Sequence, residues 1–220
     1  MPITQAAAKT ESALNNPLTI AKMAATDQPY DSNLTLPSKS YLFNRPPQWK
    51  PRFHGQQMQP PEALLPWLQE TGSLTKRLRS VHGNDLAVHV LFHRWKPAFA
   101  EECEHLNVPQ HRYHLIREVL LHVENLPLVL ARTILPAQTI RIAQRNLSHL
   151  GSRPLGEVIF AYPDLELRQR DFSLTPANFW SPAVLQQYPL QTAIWGRRTI
   201  YAIHQQPLLV SEFFLPGMQA

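Results

Sequence analysis

Residues 113–135 read YHLIREVLLHVENLPLVLARTIL. Two apolar runs flank Glu124-Asn125-Leu126-Pro127, a polar break of the kind that joins the two strands of an antiparallel hairpin. Along a strand, residues two apart share a face. One face of the first run carries Tyr113, Leu115, Arg117, Val119, Leu121 and Val123, so Arg117 is its only charge. On the second run Leu128, Leu130, Arg132 and Ile134 share a face, and Arg132 is again alone. With Asn125-Leu126 as the loop, residue 124 faces 127, Arg117 faces Ile134, and Arg132 faces Val119. That register places both arginines on one face as diagonal neighbours.

A second hairpin repeats the pattern. Ala193 to His204 and Pro207 to Leu215 flank Gln205-Gln206, and Leu208, Val210, Glu212 and Phe214 share a face. Glu212 is the only charge there. Pairing 204 with 207 sets Glu212 opposite Thr199 and diagonal to Arg197 and Tyr201. A buried charge without a partner costs several kcal/mol. Two readings stand. In one, these faces are mixed or solvent-exposed, or Arg117 and Glu212 pair with each other. In the other, the strands line a cavity where an anionic ligand supplies the missing charge. Arginine suits the second because its planar fork grips a carboxylate through two bonds. A glutamate beside it accepts a hydrogen bond from a hydroxyl, or moves a proton if its pKa is raised.

Working outward, alternation after Gly83 marks a strand from Leu86 to Phe92, and Leu165 to Leu174 reads as another. Helices are expected at Pro60 to Glu70, kinked or restarted at Pro66, and at Leu74 to Ser80, capped by Ser73 and closed by Gly83. Two more follow at Ile140 to Leu150 and from Pro154 to Phe160. Lys96 to Val108 reads as a loop or short helix. The sum is an α+β domain: a single antiparallel sheet of about six strands, helices packed on one face, and an enclosed ligand cavity. There is no βαβ rhythm or Gly-rich phosphate loop, which argues against a dinucleotide-binding fold. Residues 1–55 have few large apolar side chains and no sustained period, so they read as a flexible extension ahead of a folded domain at 56–220.

The 220 residues carry a net charge of +5, which suits either nucleic acid or a small anion. The basic residues form no run, zinc-finger spacing or RNP-like motif, so nucleic acid is the weaker partner. A single cysteine, Cys103 among three glutamates, allows no intrachain disulfide and makes a poor nucleophile. A cytoplasmic protein is the simplest reading. No apolar stretch reaches the roughly 18 to 20 residues that span a bilayer, so no stable membrane insertion is expected. Ten histidines include no HExxH or His/Cys tetrad, and no metal is expected.

Ser73-Leu74-Thr75-Lys76-Arg77, Arg117-Glu118-Val119-Leu120-Leu121 and Ala131-Arg132-Thr133-Ile134-Leu135-Pro136 resemble successive stretches of the chorismate lyase family. Pro154-Leu155-Gly156, Arg170-Asp171-Phe172, Trp195-Gly196-Arg197-Arg198 and Glu212-Phe213-Phe214-Leu215-Pro216 continue the match in order. The resemblance implies a lyase that takes chorismate to 4-hydroxybenzoate and pyruvate in ubiquinone synthesis. It implies no metal or cofactor, and a monomer whose partners are its small-molecule substrate and product. By the same resemblance Arg117 holds the ring carboxylate and Glu212 meets the ring oxygen. Leu74 and Leu155 supply apolar and backbone contacts, and Arg132 is a second arginine near the site. Leu74 stands where the family pattern has methionine, a swap of similar volume. Phe92 to Gln110 and Ser173 to Gln191 are longer than the pattern. The same fold also serves as a non-catalytic effector-binding module in bacterial transcription regulators. Those carry a winged-helix domain ahead of the sensor, for which residues 1–55 are too short and unpatterned.

Overall fold

Six strands pair antiparallel into one sheet in the order β1-β2-β3-β6-β5-β4. They are β1 (Leu86–Pro97), β2 (Tyr113–Val123), β3 (Leu126–Leu135), β4 (Glu166–Thr175), β5 (Ile194–Ile203) and β6 (Gln206–Phe214). The computed structural model describes residues 39–53, 59–143, 147–188 and 190–219. Each hairpin turn lies one residue earlier than the sequence reading placed it, at Glu124-Asn125 and at His204-Gln205. His204 and Gln205 both hold positive φ, 46° and 64°, the backbone twist that a two-residue hairpin loop needs. Moving a turn by one residue moves the register by two, a shift that by itself leaves every side chain on its own face.

Four helices cover one face of the sheet: α1 (Leu65–Gln69), α2 (Leu74–His82), α4 (Ala137–Ile142) and α5 (Leu155–Ile159). A single 3-10 turn at Glu62–Leu64 precedes α1, which restarts with Pro66 in its first turn. Ser73 caps α2 by accepting a hydrogen bond from the Lys76 amide, and Gly83 ends it at φ 88°. The opposite face is also covered. There α3 (Ala100–Leu106) packs Cys103 and Leu106 on Ile116, Ile134 and Leu209, and α6 (Pro182–Gln187) packs Val184 beside Leu120, Leu130 and Phe213. The helices of this second face come from the stretches Phe92 to Gln110 and Ser173 to Gln191.

The expected boundary of the N-terminal extension is corrected. Residues 39–53 are not a loose arm: Leu42 and Phe43 are buried among Trp180, Val184 and Phe213 on the second face. Lys50 exchanges two backbone hydrogen bonds with Phe172 on the outer edge of β4. Phe53 then stacks on Phe172 at 4.2 Å on the first face. This strap wraps the β4 edge and covers its backbone groups. Its apolar residues are too few and too irregular to show a period, but each meets a sheet residue distant in sequence. Residues 1–38 of the expected extension lie outside the described residues.

Candidate functional site

The cavity sits on the first face of the sheet. Val119, Leu121, Ala131, Thr133 and Val210 form its floor, one or two from each of three adjacent strands. Its walls are the start of α2, with Leu74 and Thr75, and the start of α5, with Leu155 and Gly156. The two helices approach closely at Gly156, where a Cβ would stand 3.0 Å from Ser73 Oγ and 3.2 Å from Thr75 Oγ1. Phe160, partly exposed, closes the side toward Tyr201, the two rings meeting in a T-shape with centroids 5.8 Å apart.

Arg117 enters from β2 and is 2% exposed. Its Nη2 donates to the carbonyls of Gly151 and Arg153, both at 3.0 Å, from the loop that follows α4. Its Nε is buried without a hydrogen-bond partner, and among the described residues no carboxylate lies within ion-pair distance of it. Burial pushes its pKa down to about 10. That still leaves a guanidinium cation at neutral pH, with only carbonyl dipoles against its charge.

Glu212 does not pair with Arg117. It lies directly opposite Arg197 on β5, and its Oε2 accepts from Arg197 Nε at 2.6 Å. Among the described residues Oε1 has no such partner. Arg197 is fully buried and also donates from Nη1 to the carbonyls of Trp67 and Glu70, which moors the end of α1 to the site. Arg170 on β4 reaches the Glu70 carbonyl at 2.6 Å and Thr199 Oγ1 at 3.0 Å. The predicted residues Leu74, Leu155, Arg117 and Glu212 therefore line one cavity. Arg197 and Tyr201 join them, and the sequence reading had named both only as neighbours of Glu212. Their signal was the run Trp195-Gly196-Arg197-Arg198 in a strand buried along its whole length, which forces one arginine onto each face.

Arg132 is not in the cavity, and its expected place there is corrected. Between Leu121 and His122 the β2–β3 register shifts by one residue, so Arg117 faces Thr133 while Arg132 faces Glu118. A bulge of one residue sends every later side chain to the other face. Arg132 therefore points to the second face. It makes a two-bond pair with Glu102, at 2.7 and 2.8 Å, and a third bond to Glu118 at 2.6 Å. Burial alone would lower its pKa, but the two carboxylates outweigh that and hold it charged. Glu118 in turn accepts from Ser40 Oγ and from the amides of Tyr41 and Leu42, so the strap completes its shell. Arg198 likewise pairs on that face with Asp171 at 2.6 Å and with Glu101.

The fold and site define a class: a single antiparallel sheet that holds, under short helices, a cavity lined by a glutamate and by a guanidinium with no carboxylate partner among the described residues. A family profile described as chorismate lyase matches residues 48–219, and the chain belongs to that family. It is 42% identical to a "Probable chorismate pyruvate-lyase" of Methylococcus capsulatus over 69% of this chain and 94% of that protein. It is 36% identical to the protein of the same name from Aromatoleum aromaticum, over 82% and 94%. Among solved structures, the effector domain of PhnF from Mycobacterium smegmatis is similar with a TM-score of 0.48, at 17% identity over 67% of this chain and 90% of that one. Among the described residues no helix is long and apolar enough to cross a membrane.

Proposed function

We propose that the cavity binds chorismate and that the chain splits it into 4-hydroxybenzoate and pyruvate without a metal or cofactor. On this reading it acts as a cytoplasmic monomer at the first committed step of ubiquinone synthesis. The observation that carries the reading is Arg117, a buried guanidinium with no carboxylate partner among the described residues, placed across an apolar floor from Glu212 in a chain of this family. Arg117 takes the ring carboxylate, and the ligand then supplies the negative charge that the fold withholds. Glu212, held by Arg197 through Oε2, offers Oε1 to the ring hydroxyl.

In the reaction the bond from ring carbon 3 to the ether oxygen breaks, and its electron pair goes to the oxygen. The hydrogen on carbon 4 leaves as a proton, and its bonding pair becomes the third double bond of the aromatic ring. Protonation of the departing enolate on carbon gives pyruvate. Aromatisation supplies the driving force, so the protein need only hold a reactive conformer and steady the shifting charge. The test is to incubate the purified protein with chorismate in the presence of a metal chelator. Equimolar 4-hydroxybenzoate and pyruvate are expected. Turnover that stops on chelation and returns with metal would overturn the cofactor-free mechanism, and tight binding of chorismate without turnover would replace the lyase with an effector-binding module.

A further inference from the structure

Of the residues that line the cavity, Phe160 is the most exposed, at 36%, while the others are buried or half-buried. Its side chain therefore meets the cavity on one side and water on the other. It stands just after α5, where its amide donates to the Gly156 carbonyl at 3.1 Å. Among the described residues the one aromatic ring it packs against is Tyr201, through the T-shaped contact. Tyr201 is 4% exposed, so it gives the phenyl ring a fixed resting place.

The backbone on both sides of Phe160 is anchored. Before it, α5 turns Leu155, Val158 and Ile159 into the core with Leu147 and Leu150. Gly156 has no room for even one added carbon against Ser73 and Thr75, and Glu157 pairs with Arg79 of α2. After it, the Tyr162 amide donates to the Ile159 carbonyl at 3.1 Å, and its hydroxyl to the Ala143 carbonyl at 2.8 Å. Lifting α5 off the cavity would break these contacts together. Turning the Phe160 ring about its own side-chain torsions gives up the edge contact with Tyr201 and little else. An aromatic pair of this kind favours the closed rotamer by up to about tenfold. We infer that Phe160 is the gate of the cavity: the ligand enters and leaves where this ring turns away from Tyr201, while α2 and α5 stay in place. The inference rests on the chorismate reading above for the identity of the ligand.

A gate slows entry and exit alike, whereas a wall contact slows exit alone, and that difference is measurable. Stopped-flow fluorescence gives both rates for 4-hydroxybenzoate. In Phe160→Ala, kon and koff should both rise by about three- to tenfold, with Kd within about twofold of wild type. Phe160→Leu, which keeps an apolar side chain in place, should fall between. Glu157→Gln frees α5 from Arg79 and leaves the ring alone, so both of its rates should stay near wild type. A rise in koff with kon unchanged in Phe160→Ala would overturn the inference and make the ring an ordinary wall. Unchanged rates would overturn it too, and so would Glu157→Gln matching Phe160→Ala, which would make helix displacement the route. A wild-type protein that does not bind 4-hydroxybenzoate would instead overturn the underlying reading, and this inference with it.

Discussion

Arg117 and Arg132 are the same residue type on neighbouring strands, yet they stand in opposite electrostatic situations. Arg132 is matched from within the chain by Glu102 and Glu118. Arg132→Ala would strand two buried carboxylates, and a loss of about 3 to 5 kcal/mol in urea-unfolding free energy is expected. Arg117→Ala leaves no carboxylate behind, so its stability should change far less. Its affinity for 4-hydroxybenzoate should drop by roughly ten- to a hundredfold, the worth of a charge-assisted pair of bonds. Unfolding curves and calorimetry on both variants check the contrast, and equal destabilisation by the two would refute it. His93, which pairs with Arg117 across β1 and β2, gives a pH signature. Burial first, then Arg117 and His149, hold its pKa below the ordinary value, so the folded state prefers it neutral. Once the pH drops below about 6.5 the unfolded chain binds the proton more readily, and stability falls until the folded pKa is reached. Burial lowers His114 in the same direction. His93→Gln should therefore flatten only part of the loss of melting temperature between pH 7 and pH 5, and an unchanged slope would show that His93 does not contribute. The lone-charge pattern was enough to pick out Arg117 and Glu212. It could not separate Arg132 from Arg117, because the pattern carries no information about which carboxylates fold against each face.

At the scale of elements, the hairpins were legible because polar turns interrupt apolar runs, and the helix starts because Ser73 and Pro154 mark them. The one-residue slip between Leu121 and His122 was not legible: Leu128 and Val129 are both apolar and both buried, so nothing in that run marks the bulge. The strap was illegible for a different reason, since its few apolar residues are useful only against partners distant in sequence. Gly196 shows how tightly the strands meet. A Cβ there would stand 2.6 Å from Cδ1 and 2.8 Å from Cε1 of Phe213, its partner on β6. Phe213 is fully buried and packs edge-on to Phe43 and Trp180, so it has little room to yield. Gly196→Ala is expected to destabilise by about 1 to 3 kcal/mol, the usual range for overpacking. The strain falls on the second face, away from the cavity, so kcat/KM at a permissive temperature should stay near wild type. Thermal melting and turnover on one preparation would check both halves of that expectation.

For the whole molecule, the sheet divides two tasks between its faces. One face leaves the Arg117 guanidinium without a carboxylate partner among the described residues, while the other satisfies its charges with the strap and α3. Removing residues 1–50 would take Ser40 Oγ and the amides of Tyr41 and Leu42 from Glu118, and would uncover the pocket that Leu42 and Phe43 fill. Each large apolar side chain contributes about 1.5 to 3 kcal/mol by burial. The shortened protein should therefore be insoluble, or melt more than about 10 °C lower. Circular dichroism on the soluble fraction would decide, and an unchanged melting curve would show that the strap is dispensable. Leu42 and Phe43 also precede the region that matches the family profile, which begins at residue 48. The family profile and the folded interior thus start at different places in this chain. A gene trimmed to where the profile begins would encode every cavity residue named above, yet the polypeptide would lack part of its own interior.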